Sequence, residues 1–184
     1  IADGATLTTQ QIAAQTLTSQ TYDLVGNVLT VTDAEGRVTT FEYDRLNRKV
    51  TEIDPKATAN AGDTNPVTRF RYDAAGNVAA TIDPLGRITT MTYDLRDRAL
   101  TTMAPDPDGP QGPLLAPLST IRYDILGNLL STTDHLGRQT VSTYDLHNRV
   151  LTVTQADPDP NDNLPAPTAS FVYDVNGDKI KSID

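Results

Sequence analysis

The acidic side chains of two proline-rich segments are the first residues of this chain that could do chemistry. Asp106 and Asp108 stand in PDPDG, and Asp157, Asp159 and Asp162 stand in DPDPNDN. Closely spaced carboxylates are the oxygen ligands that calcium prefers. Calcium is therefore the one candidate metal, but the glutamate that ends a usual calcium loop is absent. The simpler interpretation is that these acids are solvated loop residues and that the chain needs no cofactor.

Candidates for catalysis are few. His135 and His147 both fall within short turn motifs, DHLG and DLHN, so we expect exposed turn residues. No nucleophile and base are recognisable together, and no glycine-rich phosphate loop is present. The sequence predicts that the chain is not an enzyme.

Composition excludes several classes of protein and partner. The 184 residues include 24 acidic and 15 basic residues and no cysteine. Net negative charge argues against a nucleic-acid partner, and the lack of cysteine excludes disulfides and cysteine-bound zinc. No apolar run approaches the roughly 18 residues of a membrane helix, so no membrane insertion is expected. The chain begins at Ile1 rather than Met, and we expect it to be part of a longer protein.

The elements that must position these residues are internal repeats. The pair Tyr-Asp recurs at alternating spacings of 21 and 29 or 30 residues, which gives a unit of about 50 residues. The tyrosines are Tyr22, Tyr43, Tyr72, Tyr93, Tyr123, Tyr144 and Tyr173. Units begin at residues 22, 72, 123 and 173, and the last is truncated. We interpret residues 22–184 as one array and residues 1–21 as an irregular lead-in, with a degenerate repeat as the alternative.

Each unit contains turns of the forms Asp-x-x-Gly and Asp-x-x-Asn. Aspartate at the first position accepts hydrogen bonds from nearby backbone amides. Glycine or asparagine at the fourth position tolerates the left-handed conformation that closes a hairpin after a type I turn. The glycines are Gly26, Gly36, Gly76, Gly86, Gly127, Gly137 and Gly177. Asp97 takes the asparagine place in the second unit, which predicts a weaker turn there.

Between the turns lie short runs rich in Val, Ile, Thr, Phe and Tyr, such as VLTVT and RVTTFEY. This composition is typical of strands, and the pattern predicts about thirteen antiparallel strands. We expect the tyrosines to form a ladder that holds neighbouring strands together, with stacking on sugars as the alternative. Six arginines that follow the turns are expected to pair with the turn aspartates: Arg37, Arg48, Arg87, Arg98, Arg138 and Arg149.

Three longer segments interrupt the array at residues 54–66, 104–117 and 156–167. They contain eleven of the twelve prolines, and proline is excluded from central strands. We therefore predict that these three segments are loops. Because they recur once per unit, they should all leave the sheet on the same side.

The pattern YDxxGNxxxxxDxxGRxTTxxYDxxNR resembles the YD repeat, also called the RHS repeat, of bacterial toxin shells and animal teneurins. The resemblance covers about residues 22–184. It implies an all-β fold, an antiparallel hairpin-repeat sheet that is curved or spirals like a section of a shell. Some family shells end in a self-cleaving DPxGL segment. The sequence Asp83-Pro84-Leu85-Gly86 continues with Arg87 instead, so we interpret it as a turn.

The resemblance implies a non-catalytic scaffold, a fragment of a shell or surface protein that encloses or presents another domain. Its partners would be further repeats of its own longer chain and an enclosed C-terminal toxin domain. The expected location is secreted or at the cell surface, in a bacterium. Uncovered sheet edges would favour edge-to-edge self-association. The alternative is an adhesion module that recognises a glycan or protein through the Pro/Asp loops, with calcium as a candidate cofactor.

Overall fold

The computed structural model describes residues 19–56, 64–109, 112–158 and 165–183, and every regular element there is a β-strand. The strands are β1 (Ser19–Tyr22), β2 (Val28–Thr32), β3 (Val38–Tyr43), β4 (Lys49–Ile53), β5 (Val67–Tyr72), β6 (Val78–Ile82), β7 (Ile88–Tyr93), β8 (Ala99–Met103), β9 (Leu118–Tyr123), β10 (Leu129–Thr133), β11 (Gln139–Tyr144), β12 (Val150–Thr154), β13 (Thr168–Tyr173) and β14 (Lys179–Ile183). The described residues include no helix of the length and hydropathy needed to cross a bilayer.

The chain divides into two compact units, the first ending at Arg87 and the second beginning at Ile88. Strands β1 to β6 belong to the first unit and β7 to β14 to the second. Within each unit the strands are antiparallel and follow one another in chain order. The prediction of an all-β, antiparallel hairpin-repeat fold is therefore confirmed. The unit boundaries at residues 22, 72, 123 and 173 stay a prediction.

The described residues contain fourteen strands rather than about thirteen. The additional strand, β1, begins at Ser19, inside the segment 1–21 that we interpreted as an irregular lead-in. Its sequence, SQTY, has only one β-branched residue, Thr21, whereas the other described strands have at least two. Pairing with β2 defines it instead, and the hydroxyl oxygens of Thr21 and Thr30 lie 2.6 Å apart across that pair. Residues 1–18 lie outside the described part of the chain.

Very little of the sheet is buried. Among the described residues only Ala80, Thr51 and Ser131 are buried, and the strands contact only their immediate neighbours in chain order. Within each unit this burial pattern is that of a single layer, whose two faces both remain accessible to solvent. Contacts along the sheet, rather than a core between layers, must therefore hold the strands together.

The two ends of the strands differ in each unit. Every odd-numbered strand finishes in tyrosine, and a tight turn follows it. We call this the tyrosine end. At the opposite end, the loop end, short turns at residues 33–37, 83–87 and 134–138 alternate with the long loops.

The same backbone hydrogen bond closes all three long loops. The amide of the residue that follows the preceding strand donates to a proline carbonyl, over 2.9 Å from Asp54 to Pro66, 2.8 Å from Ala104 to Pro117 and 2.8 Å from Gln155 to Pro167. In the second unit both loops leave the sheet at the loop end, as the repeat predicted. The single long loop of the first unit leaves from its loop end as well.

Candidate functional site

An aspartate side chain organises each short turn. In the first loop-end turn, Oδ1 of Asp33 accepts the backbone amides of Glu35 and Arg37 at 3.0 and 2.8 Å. Oδ2 of Asp33 then accepts the Arg37 Nε at 2.6 Å. One carboxylate thus binds two amides and a guanidinium, which leaves the turn few alternative conformations.

The predicted pairing of the turn arginines with the turn aspartates is confirmed in all six cases. The pairs are Asp33–Arg37, Asp44–Arg48, Asp83–Arg87, Asp94–Arg98, Asp134–Arg138 and Asp145–Arg149. Arginine side chains at the loop end are 59–61% exposed, so water and salt screen these pairs and they stabilise the fold little. Those at the tyrosine end are only 26–29% exposed, because each also contacts the next turn.

Hydrogen bonding lowers the pKa of five turn aspartates in particular. A side-chain bond from the residue four positions on is the largest cause for the pKa of Asp23, Asp33 and Asp44. For Asp73 and Asp145 the largest cause of the lowered pKa is the backbone amide four positions on. These carboxylates therefore stay ionised in the folded protein at a pH where an ordinary aspartate would take up a proton.

The fourth turn residue has a positive φ angle throughout. At the tyrosine end, Gly26, Gly76, Gly127 and Gly177 have φ between 93° and 104°, and Asn47, Asp97 and Asn148 have φ of 60–62°. The loop-end glycines, Gly36, Gly86 and Gly137, lie at 77–79°. Asp97 adopts the same conformation as the two asparagines. The expected weakness of its turn stays a prediction.

The tyrosine hydroxyls connect neighbouring strands. In four cases the hydroxyl donates to the carbonyl of the first residue of the preceding strand, at 2.6–3.0 Å. The pairs are Tyr43–Val28, Tyr72–Lys49, Tyr144–Leu129 and Tyr173–Val150. Each accepting carbonyl lies two residues beyond the last residue of its strand that pairs with the tyrosine's strand. Tyr22 instead donates to the Gln20 side chain at 2.6 Å, and the Tyr93 hydroxyl lies 3.6 Å from the Met91 sulfur.

A second set of contacts joins one tyrosine-end turn to the next. In the first unit the Asn27 amide donates to Asn47 Oδ1 at 3.1 Å, and the Arg48 guanidinium lies 4.5 Å above the Tyr72 ring. Cation–π contacts of this kind stabilise by roughly 0.5–1 kcal/mol at exposed sites. Three successive turns are thereby connected through side chains alone.

The second unit repeats this alternation over four turns. Arg98 lies 4.3 Å above the Tyr123 ring, and Arg149 lies 4.5 Å above the Tyr173 ring. Between these two contacts, the Asn128 amide donates to Asn148 Oδ1 at 2.9 Å. Sequence reasoning assigned these arginines only to their own aspartates. The sequence did contain a signal for these contacts, because each of these arginines stands at the same repeat position relative to the tyrosine before the next turn.

The candidate calcium ligands are only partly described. Asp106 Oδ1 accepts the Asp108 amide at 3.3 Å, and Asp108 Oδ2 accepts the Leu114 amide at 3.2 Å. Asp159 and Asp162 lie outside the described residues. Over residues 19–56, 64–109, 112–158 and 165–183, no group of three or more acidic or histidine side chains could hold a metal ion.

The remaining sequence candidates lie in surface turns. His135 and His147 are exposed, as predicted. The Asp83–Gly86 segment forms the same turn as its equivalents, with the Gly86 amide donating to the Asp83 carbonyl at 2.9 Å and the Leu85 amide donating to Asp83 Oδ1 at 2.9 Å.

The second unit also contains a polar recess that the sequence did not reveal. Its volume is about 700 Å³, and it lies between the turn 134–138 and the start of the third long loop. The residues that line it include Ser119, Thr120, Ile121, Thr132, Thr133, Thr140, Val153, Gln155 and Asp157. Strand alternation alone cannot show that residues of four strands and one loop surround a common space.

The tyrosine hydroxyl bonds lead to a prediction that isolates a single interaction. Replacing Tyr72 by phenylalanine keeps the ring beneath Arg48 but removes the bond to Lys49, so the free energy of unfolding should fall by about 1 kcal/mol. The matched control is Tyr22→Phe, since that hydroxyl is exposed and bonds only the exposed Gln20 side chain; its effect should stay within about 0.5 kcal/mol. Urea unfolding measures both, and equal losses would contradict the assignment.

The lowered pKa values of the turn aspartates predict acid sensitivity. Because their folded pKa lies below the ordinary value of 3.8, their stabilisation is complete above that pH and is lost as the pH falls below it. The urea midpoint should therefore fall as the pH drops below about 4. Asp44→Asn should make this dependence shallower, whereas Asp108→Asn, in a proline loop, should not. If the pH dependence of the urea midpoint is unchanged in Asp44→Asn, the turn aspartate is not the cause of the acid sensitivity.

Comparison with known proteins identifies the repeat. The family model named RHS Repeat matches residues 22–59, 61–88, 72–111 and 123–160, which together make up well over half of the chain. No curated protein matches the sequence.

Solved structures share the fold. The crystal structure of TcdB2-TccC3-Cdc42 is 21% identical, with a TM-score of 0.64, over 85% of this chain and 8% of that chain. The crystal structure of TcdB2-TccC3-TEV is 18% identical, with a TM-score of 0.59, over 91% of this chain and 10% of that chain. The Photorhabdus luminescens Tc holotoxin pore is 15% identical, with a TM-score of 0.51, over 92% of this chain and 11% of that chain. The chain thus spans about a tenth of the length of these structures. With its tyrosine ladder, aspartate turns and matching family model, the chain belongs to the RHS-repeat family.

Proposed function

We propose that this chain is a section of the wall of a larger RHS-type shell, which encloses or presents another domain and does no catalysis itself. The observation that carries the proposal is a sheet in which neighbouring strands and turns, not a core, supply the contacts. Such an array can be extended by adding repeats without changing those already present. The tyrosines and turn glycines act as structural residues of the repeat.

The likeness to Tc toxin structures supports this role. Those structures are about ten times longer than this chain, so further repeats of the same protein would be its first partners. We propose a secreted or surface location in a bacterium, with a toxin domain as the enclosed cargo.

Limited proteolysis of the longer protein tests enclosure. A domain inside an intact wall should resist protease and become cleavable when the wall is opened. Replacing Asp94 and Asp145 by alanine removes the anchors of two tyrosine-end turns in the second unit. This double variant should accelerate cleavage of the enclosed domain by at least about tenfold, since each anchor combines two amide bonds with an ion pair.

The matched control replaces Asp106 and Asp108, which lie in a proline loop and anchor no repeat turn. It should leave the cleavage rate unchanged. Rapid cleavage of the carried domain in the unaltered protein would contradict enclosure. The remaining alternative would be that the shell presents this domain on its surface.

A second candidate function is adhesion through the loop end, and the polar recess favours it. Its volume lies within the range of small-ligand sites. The Asp134 carboxylate is paired with Arg138 at 2.7 Å, so the other polar residues that line the recess are five hydroxyl residues, Gln155 and Asp157. Such a lining suits the hydroxyl groups of a neutral glycan better than a phosphate or a large apolar ligand.

Titration with maltohexaose and chitohexaose, in calcium and in excess chelator, tests adhesion. If the recess binds either sugar, Gln155→Ala should weaken binding by up to about tenfold, because one hydrogen bond contributes about 0.5–1.5 kcal/mol. Asp54→Ala is the matched control, because Asp54 closes the first loop as Gln155 closes the third. Equal sugar binding by the two variants would contradict binding at the recess. Loss of binding in chelator would support calcium as a cofactor.

A further inference from the structure

Three arginines lie within the described strands, and all three are exposed. These strand arginines are Arg69 and Arg71 of β5 and Arg122 of β9. Because side chains alternate along a strand, each points to the face opposite the tyrosine that ends its strand. None of them forms an ion pair with a described residue, whereas all six turn arginines do. Their charges are therefore not used to hold the fold.

The buried residues of the sheet stand opposite the strand arginines. The cross-strand pairs are Arg69–Thr51, Arg71–Ala80 and Arg122–Ser131. The three small partners are the only buried residues in the described part of the chain. An arginine stem covers neighbouring surface while its charged end stays in water, so a small partner gives the stem a place to lie. The strand arginines thus rest on the sheet with their charged ends outward.

Arg69 and Arg71 form a pair of adjacent charges in the first unit. Their direct neighbours on β4 and β6 are Thr51, Ile82 and Ala80, none of which is charged. Glu42 reaches the same face two strands away, opposite Thr51, and no ion pair joins it to either arginine. Two unpaired positive charges therefore stand together on a chain whose formal net charge is −9. Such a site attracts an anionic group locally, although the chain as a whole repels one.

The interval between the two arginines selects the kind of anion. Residues two positions apart on a strand are separated by about 6.6–6.8 Å. A second polypeptide in the extended conformation repeats its side chains at the same interval, so carboxylates on alternate residues can meet both guanidinium groups at once. Each guanidinium can then hold one carboxylate through two parallel hydrogen bonds.

We propose that Arg69 and Arg71 bind an extended acidic segment of a partner protein, which lies along β5 and carries carboxylates on alternate residues. Charge complementarity and the shared strand interval carry the proposal. The second long loop of this chain also has aspartates two residues apart, Asp106 and Asp108, but both carboxylates already accept loop amides. The occupant is therefore a segment of another protein and not this loop.

The acidic-segment site does not depend on the wall role or on the polar recess. It lies in the first unit and uses the sheet face opposite the tyrosines. Loss of peptide binding would leave the proposed wall function unchanged, and failure of the protease experiment would leave the binding site unchanged.

Fluorescence anisotropy of two labelled peptides, titrated with the 184-residue chain at low ionic strength, tests the proposal. Both peptides contain equal numbers of aspartate and serine. Aspartates alternate in Asp-Ser-Asp-Ser-Asp-Ser-Asp-Ser, whereas no two aspartates are two residues apart in Asp-Ser-Ser-Asp-Asp-Ser-Ser-Asp. The alternating peptide should bind at least about threefold more tightly, since the other peptide can engage only one arginine of the pair at a time.

Replacing both arginines by glutamine tests whether they form the site. Arg69→Gln with Arg71→Gln removes the two charges but keeps a long stem over each small partner, so the fold should be retained. Binding of the alternating peptide should weaken by about tenfold, because each exposed pair contributes up to about fivefold. The matched control, Arg37→Gln with Arg87→Gln, changes the net charge equally at loop-end turns of the same unit and should alter binding by less than about twofold.

Three results would overturn the proposal. The first is equal binding of the two peptides, and the second is a glutamine variant of Arg69 and Arg71 that binds as tightly as the unaltered chain. The third is polygalacturonate that binds through the same two arginines more tightly than the alternating peptide, since the partner would then be an acidic glycan.

Discussion

Pairing between neighbouring strands carries this fold, because neither face of the sheet is covered in the described residues. A conventional domain gains most of its stability from a buried core, and here only three described residues are buried. Each strand must therefore be held by its two neighbours and by the turns that join them. The dense side-chain chemistry at the tyrosine end follows from this constraint. Tyrosine hydroxyls reach the preceding strand, and arginines and asparagines reach the next turn.

Local features of the fold could be predicted from the sequence. An aspartate followed three residues later by glycine or asparagine specifies its own turn, and branched residues between such turns specify strands. The arginine–aspartate pairs are local too, since both partners belong to one turn. β1 was missed because its four residues acquire their structure from β2 rather than from their own composition.

Contacts between turns could not be predicted in the same way. Arg48 and Tyr72 are separated by a proline-containing loop and a strand, so their stacking depends on which turns become neighbours. The polar recess depends likewise on which strands share an end. The repeat period contained this information in principle. To predict these contacts from the repeat period, one also needs the strand register and the side-chain directions, which only the folded structure supplies.

The repeat units of this protein contain two kinds of sequence, one that recurs and one that varies. Turn and strand positions recur from unit to unit, and the residues there hold the sheet. Loop sequences differ between units, and the recess beside the third loop is bordered by residues that the first two loops do not share, since Gln155 stands where Asp54 and Ala104 stand. A uniform wall can thus present a different surface at each loop.

One backbone hydrogen bond closes each long loop, and this arrangement makes the loops permissive to insertion. The strand register on both sides depends on the amide and carbonyl that meet at the loop base, not on the residues between them. Lengthening a closed loop costs little, about 0.6 kcal/mol for each doubling. The loop end of this sheet is therefore the place where new sequence, up to a small folded domain, can be accommodated while the strands keep their partners.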